Sequence, residues 1–277
     1  MKIIKSYAKI NLTLKVLKKL KNGMHDIESH ACLIDLHDQI EIKKNKKDRV
    51  IFTGKFKKET NQHKNSILDT LKILRENNII NYFYKIVVRK NIPVFSGLGG
   101  GTANSVSLTK YFIKNNPNEF LVRKLEKKIG SDFRLFLNSF SFQKNLKKIQ
   151  GRKKFFTLHF LIVYPMINCR TKHIYSLVKK FSFSKKKHYF TSKKINFFFK
   201  EIKTDKNDLQ QIVEKKYFQV GELINYLKNQ KGCVFSRMTG SGSVCYGLFN
   251  SKKMANIAKK KIKKKYPNYW CANTKTI

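Results

Sequence analysis

Arginine is scarce in this chain: all but eight of its 60 basic residues are lysine. Arg is the planar, bidentate reader of bases and phosphates, so its scarcity weighs against nucleic-acid recognition. That matters because a net charge of +43 and a pI near 10.1 would otherwise suggest such a partner. The lysines are spread along the whole chain and not gathered in a tail or stripe, and no RNP-like or KH-like motif occurs. A solvated basic surface is the expected reading, and the abundance of Lys, Asn, Ile, Phe and Tyr fits AT-rich codon usage. A strongly anionic substrate is another use for such a field. A basic RNA-binding protein remains the rival of a different class, and it predicts surface aromatics among clustered Lys and Arg.

Other absences narrow the class. No run of about 18 apolar residues occurs, so no membrane-spanning helix is expected. The first residues, MKIIKSYAKINLTLKV, are broken by Lys2, Lys5, Lys9 and Asn11 and do not form the apolar core of a secretory signal. A cytoplasmic location is the expectation. The five cysteines (Cys32, Cys169, Cys233, Cys245 and Cys271) are odd in number and match neither zinc spacing nor a C-x-x-C pair. There are no internal repeats. With 277 residues, 41% of them hydrophobic, the chain has ample material for a core.

The pattern along the chain is mixed. IIKSYAKINLTLKV reads as a strand or strand pair closed by a turn at Asn22-Gly23. IESHACLIDL and DQIEIKK read as separate strands, with His37-Asp38 as a turn before the second, and RVIFTGKF as another. NSILDTLKILREN places Ile67, Leu68, Leu71 and Leu74 at helical spacing. YKIVVRKNIPV reads as a strand and TANSVSLTKYFIKNN as a helix. NEFLVRKLEKKIG reads as a helix ending at Gly130, and SDFRLFL as a short helix or turn. Further on, FFTLHFLIVYP predicts a strand, TKHIYSLVKKF a helix, CVFSRMTGSGSVCYGLF a strand–loop–strand, and KKMANIAKKKIKKKY an amphipathic helix. Residues 181–206, basic and aromatic, carry no clear assignment. The expectation is an α+β protein of two lobes, residues 1–150 and 151–277, divided near the Lys-rich NLKKIQGRKK.

Residues 94–107, VFSGLGGGTANSVS, lie between a predicted strand and a predicted helix. Glycines there let successive backbone N–H groups converge on an anion, and the helix start adds positive potential. No Gly-Lys-Ser/Thr follows, so this is not a Walker A loop, and it does not fit the dinucleotide fingerprint. A tight structural turn is the alternative. A second small-residue loop, Thr239-Gly240-Ser241-Gly242-Ser243, reads as a hairpin turn or as the opposite wall of a ligand cleft, with the two loops in different lobes. Asp132, after Gly130-Ser131, is placed to act either as a base on a substrate hydroxyl or as a helix N-cap. Lys9 interrupts an apolar strand and needs an anionic partner, either Asp132 or a phosphate.

These pieces, in this order, resemble the GHMP kinase superfamily of small-molecule kinases. Ser6–Leu12 is similar to its opening P-A-K-I-N-L. Pro93–Asn104 resembles its phosphate loop P-x-x-x-G-L-G-G-G-S-S/A-N/D, and Met238–Ser243 its C-terminal M-S/T-G-S-G-A loop. Asn22-Gly23-Met24-His25 with Glu28-Ser29, Gly130-Ser131-Asp132, Pro165–Tyr175 and Asn207-Asp208-Leu209 resemble segments of the branch that acts on a cytidine-diphosphate-linked methylerythritol, on the route to isoprenoid precursors. The resemblance spans nearly the whole chain.

It implies a two-lobed fold with the active site in the cleft between lobes, and ATP with Mg²⁺. Asp132 would deprotonate the substrate's C2 hydroxyl, and Lys9 would orient Asp132 and neutralise charge. Lys90, Pro93, Ser96, Gly97, Leu98, Gly99, Gly100, Gly101 and Thr102 would bind ATP, with Thr102 also near the metal. His25 would read the cytosine edge and Tyr175 would stack on its ring. Asn11, Thr171, Gly240 and Ser241 would help hold the substrate. A monomer or weak homodimer is expected, with no membrane or nucleic-acid partner. Homoserine or mevalonate kinases are the rivals within the superfamily, and they hold no cytosine. Four departures stand out: Met24 replaces an aromatic, Phe95 a small residue, Ala103 a hydroxyl, and Arg134 the proline after Ser131-Asp132-Phe133. The last predicts a looser backbone and an added cation.

Overall fold

The computed structural model describes residues 3–114, 116, 118–146, 148–152, 156–184 and 195–277. The chain runs through β1 (Ile3–Asn11), β2 (Lys15–Lys19), β3 (His25–Asn45), β4 (Arg49–Thr53), α1 (Ser66–Glu76), β5 (Phe83–Arg89), α2 (Gly100–Phe112) and α3 (Glu119–Ile129). A 3₁₀ segment (Ser131–Leu137) leads to β6 (Phe140–Gln143), β7 (Ile149–Arg152), β8 (His159–Tyr164), α4 (Thr171–Ser176), α5 (Ile195–Thr204), α6 (Gln210–Lys216) and α7 (Phe218–Lys228). β9 (Cys233–Met238), β10 (Cys245–Phe249), α8 (Lys252–Lys265) and β11 (Trp270–Lys275) complete it. The α+β expectation holds.

Two compact units divide the chain, but not at 150/151. The first holds Met1–Lys9, Leu33–Val94 and Gly99–Asn138; the second holds Ile10–Cys32, Phe95–Leu98 and Ser139–Ile277. The reason is that β1 and β3 each contribute residues to both units, while β7 runs straight through the predicted boundary. β3 is also one strand of 21 residues where two were expected. His37-Asp38 is therefore not a turn: Asp38 is fully buried within β3.

In the first unit β5 pairs antiparallel with β3, setting Val88 opposite Ile40 and Ile86 opposite Ile42. β4 pairs parallel with β5, with Val50 opposite Ile86 and Phe52 opposite Val88. Ile40, Ile86, Val88 and Val50 are 2% exposed or less, as two-sided packing of a central strand requires, while Phe52 is 8% exposed and Ile42, nearer the end of β3, is half-buried. Most of the apolar stripe predicted for α1 is buried (Ile67, Leu71 and Leu74), with Leu68 half-buried at its edge, and Leu121, Val122 and Leu125 are buried on α3. Asn65 and Asn118 cap these helices by accepting from Leu68 N–H at 3.1 Å and Leu121 N–H at 2.7 Å.

In the second unit β2 and β6 pair antiparallel with the first half of β3, and β7 pairs with β6. A separate antiparallel sheet has the order β11-β8-β10-β9. Leu161, Val163, Val213, Leu223, Leu227, Ala258 and Ile262 belong to the core that α6, α7 and α8 share with this sheet. The strand–loop–strand expectation is met, with Met238 opposite Cys245. No helix among the described residues is long and apolar enough to cross a membrane.

Candidate active site

In the first unit, Lys9 ends its share of β1 and Asp132 is the second residue of the 3₁₀ segment. Lys9 Nζ lies 3.4 Å from Asp132 Oδ2; the lysine side chain is 5% exposed and the aspartate 36%. Asp132 is thus not an N-cap, a position held by Gly130 at φ 133°. The carboxylate stays open on one side while its partner is fixed in the interior.

The start of α2 is beside this pair. Gly99 is its N-cap with φ 70°, and no side chain caps the helix. The first N–H groups of α2 are therefore available to an anion. A Cβ on Gly99 would sit 2.6 Å from the Phe136 ring and 3.4 Å from Lys9 Cε, so the lysine stem runs along this turn. A Cβ on Gly100 would lie 3.2 Å from Lys90 Nζ, which places a second buried ammonium at the same turn. Lys90 pairs with Asp38, whose other oxygen accepts from Asn91 N–H at 2.8 Å and Ile92 N–H at 2.9 Å. Asn104, its amide turned to donate, reaches Ser6 Oγ at 2.8 Å and Asp38 Oδ2 at 3.1 Å. Asp38 thus ties three elements together: β3, the loop after β5, and α2. Thr102 is half-buried, and its hydroxyl has no hydrogen bond among the described residues. Pro93 is buried just ahead of the loop.

Arg134 departs from the expectation of a loose backbone and an added cation. Its guanidinium is taken up by α3, at 2.6 Å from Glu119 Oε1 and 2.8 Å from Glu126 Oε2. The contacts with Arg134 and then Arg123 hold the Glu119 carboxyl down at about 2. Arg134 therefore staples the segment bearing Asp132 to α3.

The second unit contains Ser96, Gly97 and Leu98 together with the Thr239–Ser243 loop. The two loops were expected in opposite lobes; instead the first part of one packs directly on the other. A Cβ on Gly97 would sit 2.3 Å from Thr239 O, and one on Gly240 3.0 Å from Gly97 O. Val244 N–H donates to Ser96 O at 3.3 Å. Asn11 N–H donates to Thr239 Oγ1 at 2.9 Å, and its amide to Ser29 Oγ at 2.8 Å. Asn207 donates to Met238 O at 2.9 Å and Gly240 O at 2.8 Å, which gives the Asn-Asp-Leu segment a scaffolding job.

Short helix α4 carries two of the expected residues one turn apart. Thr171 Oγ1 is 2.9 Å from Ser241 Oγ, while the Tyr175 ring is 5.3 Å from the His25 ring at 35°. His25 is 9% exposed, yet its ring nitrogens have no hydrogen bond among the described residues. Burial, then Lys19, lowers its pKa, so the imidazole is neutral at pH 7 with one donor and one acceptor to offer. Met24 next to it is 43% exposed. Phe95 takes φ 53° and is 54% exposed.

Asp38 and Asn104 are the residues that sequence reasoning missed as site supports. No local signal singles out Asp38, because β3 also carries Asp26, Glu28, Asp35 and Glu41.

An uncapped glycine helix start, two buried lysines beside it and a half-open aspartate are the kinds of group that phosphoryl transfer calls for. The family model described as GHMP kinases N terminal domain matches residues 65–132, and GHMP kinases C terminal matches 198–268. The chain belongs to the GHMP kinases. It is 37% identical to the 4-diphosphocytidyl-2-C-methyl-D-erythritol kinase of Pelagibacter ubique, over 99% of this chain and 98% of that one. It is 31% identical to the enzyme of the same name from Caldanaerobacter subterraneus subsp. tengcongensis, over 99% and 96%. A crystal structure of 4-(cytidine 5'-diphospho)-2C-methyl-D-erythritol kinase matches its fold with a TM-score of 0.77 at 18% identity, covering both chains completely. Membership of the GHMP kinases implies use of ATP.

Proposed function

We propose that this chain is an ATP-dependent kinase that phosphorylates the C2 hydroxyl of 4-diphosphocytidyl-2-C-methyl-D-erythritol. The observation that carries the chemistry is the Lys9–Asp132 pair at 3.4 Å beside the uncapped start of α2. The full-length similarity to kinases of that name supports the substrate.

Phosphoryl transfer needs positioning and charge stabilisation more than covalent help from the protein. The N–H groups of Gly100, Gly101 and Thr102 hold phosphate oxygens, and Ser96, Gly97 and Leu98 shape the loop that leads to them. Pro93 fixes the entry to that loop. Lys90, held by Asp38, and Lys9 supply positive charge. Asp132 Oδ2 accepts the hydroxyl proton as the oxygen attacks, and the Lys9 ammonium, 3.4 Å away, orients the carboxylate. Neutral His25 hydrogen-bonds the base edge, Tyr175 stacks on the base, and Asn11, Thr171, Gly240 and Ser241 hold the remainder.

Among the described residues no group of three His, Cys, Asp or Glu is placed to hold a metal ion. Mg²⁺ at kinase sites takes few protein oxygens and is held largely by phosphates and water, so this donor set fits it. The Thr102 hydroxyl would be the protein ligand, and the ion would neutralise charge on the phosphates.

The test is ADP release from Mg-ATP with the cytidine-linked substrate. Asp132→Asn is expected to lower kcat by about 10²–10⁴-fold, the usual contribution of a general base, with thermal stability unchanged. Equal turnover by the variant, or turnover only with homoserine or mevalonate, overturns the reading.

A further inference from the structure

We propose that Phe181 forms an additional aromatic wall of the base subsite and helps select a substrate that carries a planar nucleobase. This rests on the reading of His25 and Tyr175 as base-holding residues. Phe181 lies outside every motif that points to the site. Its ring nevertheless sits 6.4 Å from the His25 ring, tilted by 33°, while Tyr175 sits 5.3 Å away at 35°. Offset and tilted rings 4.5–7 Å apart are in aromatic contact range. The imidazole, nine-tenths buried and without a hydrogen bond among the described residues, thus has two aromatic rings of similar tilt in contact range.

The backbone holds Phe181 in this place. Ser182 N–H donates to Val16 O at 2.8 Å, so the segment runs beside β2. Ser184 Oγ donates to Glu28 Oε2 at 2.6 Å. Glu28 is itself buried and held by Lys15 at 3.0 Å, and Lys15 also meets Asp205 at 2.9 Å. These anchors are on the β2–β3 pair, and His25 is the first residue of β3. The wall and the edge reader therefore share one rigid support. Phe181 remains 43% exposed, so part of its ring is uncovered and available to a ligand. Its neighbour Phe183, at 92% exposed, has no such packing.

The two residue types make different demands. A phenyl face stacks on any base, because every base has a π-face. An imidazole edge distinguishes bases by their donors and acceptors. Phe181 therefore contributes affinity for the nucleobase as a class, and His25 contributes the choice among bases.

The experiment measures Kd for CDP alone by calorimetry, and KM for the cytidine-linked substrate and for ATP, in Phe181→Leu, Phe181→Tyr, Tyr175→Ala and His25→Ala. Leu keeps bulk and removes the π-face; Tyr keeps both. Phe181→Leu is expected to weaken CDP and raise the substrate KM by about 5- to 150-fold, the range for losing one stacking contact. The KM for ATP and kcat are expected to stay unchanged, UDP to be weakened by the same factor as CDP, and Phe181→Tyr to behave as the parent. If Tyr175→Ala weakens CDP binding and Phe181→Leu does not, the wall is refuted and the base-site reading survives. If neither Tyr175→Ala nor His25→Ala alters CDP affinity, the base-site reading fails and the wall with it. A fall in Tm without loss of CDP affinity in Phe181→Leu also overturns the proposal.

Discussion

Gly97→Ala tests whether the packing of the two loops in the second unit is as tight as the geometry requires. Gly97 has φ 81°, where an L-residue is disfavoured by about 1–2 kcal/mol. The added Cβ would stand 2.3 Å from Thr239 O, far inside any tolerated contact. That oxygen is not free to retreat. It accepts from Gly242 N–H at 3.1 Å, Thr239 N–H donates to Val244 O at 3.0 Å, and Thr239 Oγ1 accepts from Asn11 N–H at 2.9 Å. Relief of the clash breaks at least one of these bonds, each contributing about 1 kcal/mol. The total is a loss of roughly 2–4 kcal/mol, or about 4–15 °C in Tm at the size scaling of such chains. Gly101→Ala, four residues on, is the control. Gly101 has no positive φ, and its added Cβ would meet only Ser66 Oγ at 3.6 Å, an ordinary contact. Alanine there gains about 0.5–1 kcal/mol of helix propensity, so Tm is expected to hold or rise. Scanning calorimetry of both variants decides the matter. Equal losses in the two, or no loss in Gly97→Ala, refute the steric argument.

Two further outcomes follow from single residues. Phe95→Gly removes an L-residue from the left-handed region, a relief of about 1–2 kcal/mol, against about 0.4–1 kcal/mol for the added freedom of the unfolded chain. With the residue already 54% exposed, Tm is expected to rise slightly, and a fall of several degrees in thermal melts would count against strain at this position. His25 concerns pH. Its folded pKa is depressed below 6.5, so its neutral form persists beneath the ordinary imidazole value and is lost only as pH falls through the lowered one. The KM for the cytidine-linked substrate is expected to stay flat down to about pH 6.5 and to rise below it; a rise already complete by about pH 7 contradicts a neutral, buried His25.

What the sequence made legible was local. The helices with clean apolar stripes, α1, α3 and α8, are where periodicity puts them, because caps and burial agree there. The glycine loop and the Thr239–Ser243 loop were legible as anion or turn chemistry, because glycine at φ near 80° leaves few alternatives. Long-range order was not legible. β3 reads as two strands because His37-Asp38 carries turn-forming polarity, yet Asp38 is satisfied by Lys90 and by two backbone N–H groups some fifty residues away. The interleaving of the two units escaped for the same reason, since nothing in a local window marks a strand that serves both. Phe181 was invisible as a site residue because its place depends on Ser182 and Ser184 reaching β2 and β3, not on any motif.

The chemistry rests on where the few acids are. Only 17 carboxylates face 60 basic residues, and several of them are interior. Asp38, Glu28, Asp205 and Glu201 are each at most 6% exposed. Asp38 meets Lys90, Glu28 and Asp205 meet Lys15, and Glu201 lies 3.8 Å from His30. Removing one partner of a buried pair costs about 3–5 kcal/mol, because a charge is left without compensation in the interior. An exposed pair is worth about 0–1 kcal/mol. A chain that replaces acids by lysine on its surface therefore loses little stability, whereas replacing Asp38 or Glu28 would dismantle the supports of the glycine loop and of the base subsite. Among the described residues the four interior acids are matched in number by interior Lys9, Lys15, Lys90 and Arg237, so burial of acids does not account for the surplus of 43 positive charges, a field that would suit the polyanionic substrates proposed above.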